Sequence, residues 1–168
     1  MSIVGKILNK YFKISIRSIL IYTLKNESLE KLEEIANIFV TDILDNEKID
    51  QIFNIFNENI HLKNKNVILI SASIDPVINA LGRRYKVKTI SSQIEYDNGV
   101  STGKLLIDIR GNKNLLMKNF TTQESVFYTD NIDDLNCSNI VNKIFFIVKN
   151  KKKIRSIKLS NNTEIVYV

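Results

Sequence analysis

Three aspartates, Asp130, Asp133 and Asp134, close a short β-prone run that begins at Ser125. In an open α/β sheet, ligands sit in the crevice at the carboxyl ends of the strands, so acids placed just past a buried strand face that crevice. Asp130 and Asp134 lie four apart and can serve one hard cation. Oxygen donors of this kind suit Mg²⁺, which keeps several waters and bridges to a substrate phosphate. The structural alternative is an acidic turn in which Asp130 or Asn131 caps the next helix.

Two further stretches carry residues for anion chemistry. Val67 to Ile70 is a continuous aliphatic run, too short for a helix and β-branched enough for a strand buried on both faces. It stops at Ser71-Ala72-Ser73, and Asp75-Pro76 then reads as an N-cap and N1 proline opening a short helix that ends at Gly82. Strand, small hydroxyl turn and helix start together offer the Ser71 hydroxyl and backbone N–H groups to an anion. Serine for capping alone is the alternative there. Lys113 follows Arg110-Gly111-Asn112 and stands at the start of a helix containing Leu115, Leu116 and Met117. A lysine there opposes the helix dipole unless something anionic rewards it.

The rest of the chain must place these groups. Its 168 residues, 44% hydrophobic and 25% charged, suffice for one globular domain with a sizeable core. Cys137 is the only cysteine, which excludes an internal disulfide, fits a reducing compartment and reads as a small buried hydrophobe. No signal peptide or membrane-spanning run is visible, and a cytoplasmic location is expected. The net charge of +6 is matched by an acid-free run of Lys149, Lys151, Lys152, Lys153, Arg155 and Lys158. That run has no interleaved aromatics and belongs to no nucleic-acid module, so it reads as a solvated loop between strands and nucleic acid is not expected as a partner.

Residues 1–63 read as mostly helical. Lys6, Lys10, Lys13 and Arg17 share helical spacing within Ser2 to Leu24; packing on a neighbour is favoured over a membrane surface because Ser15, Ser18 and Tyr22 interrupt the apolar side. Ser28 is the expected N-cap of a second helix with Leu29, Leu32, Ile35, Phe39 and Ile43 on one stripe, and Asp50 to Ile60 forms a third. His61, the sole histidine, lacks a partner at metal-ligand spacing. Beyond residue 64 strands dominate: Lys86 to Ser92, a hairpin over Ile94 to Ile107 turning at Asp97-Asn98-Gly99, parallel strands at Ser125 to Thr129 and Lys143 to Val148, and an edge strand at Glu164 to Val168. The expected fold is α/β, a Rossmann-like parallel sheet with helices on both faces.

In their order and spacing, Val67-Ile-Leu-Ile-Ser-Ala-Ser73, Gly111-Asn-Lys113 and Val126-Phe-Tyr-Thr-Asp-Asn-Ile-Asp-Asp134 resemble motifs two, three and four of the haloacid dehalogenase superfamily. Leu81-Gly82 and the E-x-D-N-G-x-x-T-G pattern between Ser92 and Lys104 resemble its phosphoserine phosphatase-like branch. The resemblance covers roughly residues 28–150. It implies hydrolysis of a small phosphate monoester through an aspartyl-phosphate, with Mg²⁺ as cofactor. By position, Ser71 with the Ala72 and Ser73 backbone would bind the transferred phosphoryl group. Lys113 would neutralise nucleophile and phosphate, Asp130 would hold the metal, and Asp134 would support it.

The family's first motif, a hydrophobic strand followed by D-x-D-x-T, is absent: no two aspartates anywhere in the sequence stand two apart. That motif carries the nucleophile, without which the covalent route is closed. Residues 1–63 then correspond to an incomplete helical cap and 64–168 to a core lacking its first, central strand. The expectation is a truncated phosphatase, inactive as this chain. A partner chain, self-association at the open sheet, or an N-terminal segment such as Ile14 to Tyr22 would cover the gap. The alternative function is a non-catalytic phosphate-binding or interaction module. Thr129 and Asn131 also depart from the family, which usually has glycine and serine there.

Overall fold

The hairpin at Asn98-Gly99 is the feature most directly dictated by local chemistry. Both residues take positive φ, 48° and 79°, the pairing a tight two-residue turn demands and that asparagine and glycine tolerate best. A computed structural model describes residues 15–42, 47–62, 65–119, 124–149 and 159–168. The basic positions Lys6, Lys10 and Lys13 and nearly all of the C-terminal basic run lie outside these. The described part is mixed α/β with parallel strands, as the sequence predicts. It divides into two compact units: residues up to Lys48 with Phe56–Asp108, and Ile49–Ile55 with residues from Ile109 onward.

The first unit opens with helices α1 (Ile16–Tyr22) and α2 (Leu29–Asp42), while α3 (Asp50–Ile60) runs across the division of the chain. Ser15 caps α1 by accepting from the Ser18 amide, and Ser28 accepts from the Lys31 amide as expected of the α2 N-cap. Strand β1 (Ile68–Ile74) leads into α4 (Asp75–Tyr85), then β2 (Lys88–Asp97) and β3 (Val100–Ile107). β1 pairs in parallel with β2, which pairs antiparallel with β3. Ala36 and Val40 of α2 pack with Ala80 of α4, flanked by Phe39, Val77 and Leu81.

Two boundaries differ from expectation for tertiary reasons. Helix α4 continues past Gly82 to Tyr85, ending at Lys86 in the left-handed region. Gly82 is not a terminator: a Cβ there would lie 2.5 Å from Thr89 Cγ2 on β2, so its lack of a side chain lets helix and strand approach. Asp75 is not the N-cap either. Ile74 holds that position, and Asp75 Oδ1 instead accepts from the Ile94 amide at 2.9 Å, tying α4 to β2.

Tyr96 of β2 buries its hydroxyl without a hydrogen-bond partner among the described residues. Burial, and then Asp75 and Glu33, push its pKa from the ordinary 10.0 to about 12. The folded state therefore keeps a proton that the unfolded chain releases near pH 10, and stability present below that pH is lost as pH rises toward 12. Tyr96→Phe removes both the unsatisfied hydroxyl and the titration. Urea unfolding near neutral pH should find the variant no less stable than the parent, with a shallower alkaline decline; an equal decline in both proteins would refute this origin.

The second unit contains the short helix α5 (Lys113–Met117), β4 (Val126–Thr129), a 3-10 helix (Ile132–Asn139), β5 (Lys143–Val148) and β6 (Thr163–Tyr167). All three strands are parallel, in the order β4-β5-β6, with Phe127 opposite Ile144 and Phe146 opposite Ile165. Phe127, Ile144, Phe146 and Val148 alternate to one face and are buried. Cys137 is fully buried, and burial, followed by the nearby Asp134, pushes its thiol up to about 11. It is the inert small hydrophobe the sequence predicts. His61 is exposed just past α3. No helix among the described residues is long and apolar enough to cross a membrane.

Candidate anion and metal site

The chain leaves β4 at Thr129 and turns through Asp130 into the 3-10 helix. Asn131 is the N-cap, its side chain accepting from the Asp133 amide at 3.1 Å. The capping alternative weighed for this stretch is thus realised by Asn131, which leaves the carboxylates uncommitted to capping. Asp130 and Asp133 are exposed, whereas Asp134 is buried, 2% accessible.

Asp134 meets Lys113. Lys113 Nζ lies 2.6 Å from Asp134 Oδ2, with the two side chains only 11% and 3% exposed. The Thr129 hydroxyl donates to the same oxygen at 2.7 Å and accepts from the Asn131 amide at 3.1 Å. The turn that positions Lys113 is itself fixed to the 3-10 helix, since Asn136 Nδ2 donates to the Gly111 carbonyl at 3.2 Å. Asn112 precedes α5 without capping it through its side chain, so the lysine at the unfavourable end of this helix is compensated by a carboxylate rather than by helix chemistry. The pair is neutral as a whole, and it fixes the Lys113 ammonium at the carboxyl end of β4, where Thr129 shares its carboxylate.

Ser71, Ala72 and Ser73 belong to the first unit, on β1. The Ser71 hydroxyl accepts from the Ser73 amide at 3.1 Å, which leaves its own proton to donate elsewhere. Lys113, Asp130 and Asp134 belong to the second unit. Sequence reasoning does not single out Thr129, Arg17 or Ser92 as site residues. Arg17 donates through Nη2 to the Ala72 carbonyl and to Ser92 Oγ, the latter at 3.0 Å. Thr129 carried a signal, as a hydroxyl residue where the resembled motif has glycine; Arg17 and Ser92 carried none.

The donors present fit Mg²⁺ in one particular way. Among the described residues no three His, Cys, Asp or Glu side chains gather into a metal-binding group, and Asp134 already gives Oδ2 to two donors. A single exposed carboxylate, Asp130, suits a hard cation that keeps its waters and completes its shell with substrate phosphate, not one caged by protein alone.

No protein-family model matches the chain, and no curated protein sequence is similar to it. Solved structures are similar in fold. A protein of unknown function from Bordetella pertussis Tohama I superposes with a TM-score of 0.71 at 16% identity, over 88% of this chain and 74% of that one. A HAD family hydrolase from Salmonella enterica serovar Typhi gives 0.58 at 15% identity, over 95% of this chain and 57% of that one. A probable phosphoserine phosphatase from Vibrio cholerae gives 0.51 at 12% identity, over 94% and 50%. The chain therefore has the Rossmann-like fold seen in haloacid dehalogenase hydrolases and spans 57% and 50% of the length of these last two.

Proposed function

We propose that this chain carries the phosphate- and metal-binding part of a Mg²⁺-dependent phosphomonoesterase of the haloacid dehalogenase type, acting on a small phosphorylated substrate. The observation that supports this reading most is the buried Lys113–Asp134 pair beside Asp130 at the end of β4. Lys113 neutralises phosphate, and the Ser71 hydroxyl, held by the Ser73 amide with its own proton left over, donates to a phosphoryl oxygen together with the Ala72 amide. Asp130 holds the metal, with Asp134 fixing the lysine beside it. Bound Mg²⁺ would supply charge neutralisation on the phosphate oxygens. Phosphoryl transfer asks mainly for such positioning and neutralisation, but the covalent route also needs a nucleophilic aspartate. Because the sequence contains no D-x-D-x-T, that group would come from outside these residues, on a strand added to the core. Alone, the chain binds phosphate and does not hydrolyse its esters.

The experiment is a melting curve with inorganic phosphate and Mg²⁺ beside a p-nitrophenyl phosphate assay. Saturating phosphate at 100 times its Kd should add about 2.7 kcal/mol of stability, with no turnover. Absence of any phosphate-dependent shift would refute the binding site. Turnover abolished by Asp130→Ala would keep the site and refute inactivity.

A further inference from the structure

The parallel ladder between β1 and β2 is interrupted where the candidate anion-binding residues stand. Ser71 lies opposite Ser91, but the next pairing is Ile74 with Ser92, three residues on along β1 and only one along β2. Ala72 and Ser73 are thus the extra residues of a bulge. Bulges lose ladder hydrogen bonds and re-aim the side chains beside them, and they recur next to active sites for that reason. Backbone groups released in this way need other partners. Here side chains supply them. Arg17 Nη2 donates to the Ala72 carbonyl, the Ser92 hydroxyl lies 3.1 Å from the same oxygen, and Ser71 Oγ receives the Ser73 amide.

These partners come from distant parts of the chain. Arg17 is on α1, 55 residues before Ala72, and Ser92 is 20 residues after it. The cluster is closed by Asp108, whose Oδ1 lies 3.4 Å from Arg17 Nη2 and 3.2 Å from Ser92 Oγ. Ser92 is fully buried, and Arg17 buries Nε without a hydrogen-bond partner among the described residues. A guanidinium that aims one nitrogen at three acceptors while leaving another buried and unpaired gives up hydrogen-bond energy to hold that aim. A lysine, with a compact ammonium on a flexible stem, lacks the rigid planar group that holds Nη2 in this place.

We propose that Arg17 is a positioning residue: through the Ala72 carbonyl it fixes the bulge in which the Ser73 amide holds Ser71 Oγ and leaves the Ser71 hydroxyl proton for an anion. Arg17 touches no ligand in this role. It acts on the β1 side of the site and rests on the reading of Ser71 as a phosphate donor, but its structural part stands without that reading. The basic helix face, taken by itself as a membrane or packing surface, thus has one member with a separate task.

The Ser73 amide is the reporter, because its acceptor is Ser71 Oγ, inside the bulge. Hydrogen exchange in the full chain should accelerate at Ser73 by about tenfold or more in Arg17→Ala, the size expected for losing one charge-assisted hydrogen bond. The Ile94 amide, held by Asp75, should keep its rate. Added guanidinium at low concentration should restore Ser73 protection in Arg17→Ala, and Arg17→Lys should restore little. Ser92→Ala, which keeps the arginine, should give a smaller acceleration at the same amide. If Arg17→Ala loosens Ser73 and Ile94 alike, or leaves Ser73 unchanged, the positioning role is overturned. In parallel, the affinity for inorganic phosphate should fall about tenfold in Arg17→Ala and recover with guanidinium. Failure of the parent to bind phosphate would refute the proposed site, while the exchange measurement would still decide the role of Arg17.

Discussion

Asp134→Leu should lower the stability of the chain by about 3–5 kcal/mol, because it strands the Lys113 ammonium in a site that excludes most water. The same change leaves the Thr129 hydroxyl without its acceptor. Lys113→Met in the wild-type background strands the opposite charge, but Asp134 keeps the Thr129 hydroxyl as a donor, so its loss should be the smaller. Joining the two changes as Lys113→Met with Asp134→Leu removes both charges and should restore most of the stability, since a buried pair replaced by apolar residues of similar size is often neutral or better. Chemical denaturation of the parent, both single variants and the double variant gives the coupling directly. Additive losses would mean that the two groups do not depend on each other and that the pair is not the dry contact described here. The cycle also separates structure from function: the double variant should be folded and blind to phosphate.

Much of this arrangement was legible in the sequence where short-range chemistry decides it. Asn98-Gly99 announces its turn because few other residue pairs accept two positive φ angles in succession. Lys143 to Val148 announces a parallel strand because its aliphatic and aromatic content fits a buried segment, and Val126 to Thr129 shares its β-prone composition although Val126 and Tyr128 are exposed. The order of a hydroxyl turn, a lysine and an acidic loop is likewise a sequence property, and the fold it implied is the one observed. Long-range partners are not written in this way. Nothing around Asp75 announces that its carboxylate receives the Ile94 amide instead of capping α4. Gly82 looks like a helix end until Thr89 is placed against it. β1 extends through Ser71-Ala72-Ser73 to Ile74, rather than stopping at Ile70, because Arg17 and Ser92 satisfy the backbone that the bulge frees. The need for an anion near Lys113 was readable from its place at a helix start; that Asp134 and Thr129 meet it was not.

The second large effect expected concerns Asp130. In the parent, Mg²⁺ and inorganic phosphate should each raise the affinity for the other, because the cation that one carboxylate holds loosely gains phosphate oxygens as further ligands. Such coupling is reciprocal and typically 5–150-fold. Asp130→Asn should abolish it: phosphate then binds with its metal-free affinity whether or not Mg²⁺ is added, since Lys113 still neutralises the anion. Asp133→Asn is the matched control. Asp133 is equally exposed, and its one described hydrogen bond is made by its backbone amide to Asn131, so the coupling should survive. Lys113→Met with Asp134→Leu should lose phosphate in either condition. Calorimetric titration of phosphate with and without Mg²⁺, across these variants, checks the assignment. Equal coupling in Asp130→Asn and the parent would remove Asp130 from the metal site, and loss of coupling in Asp133→Asn alone would move that role three residues along the turn.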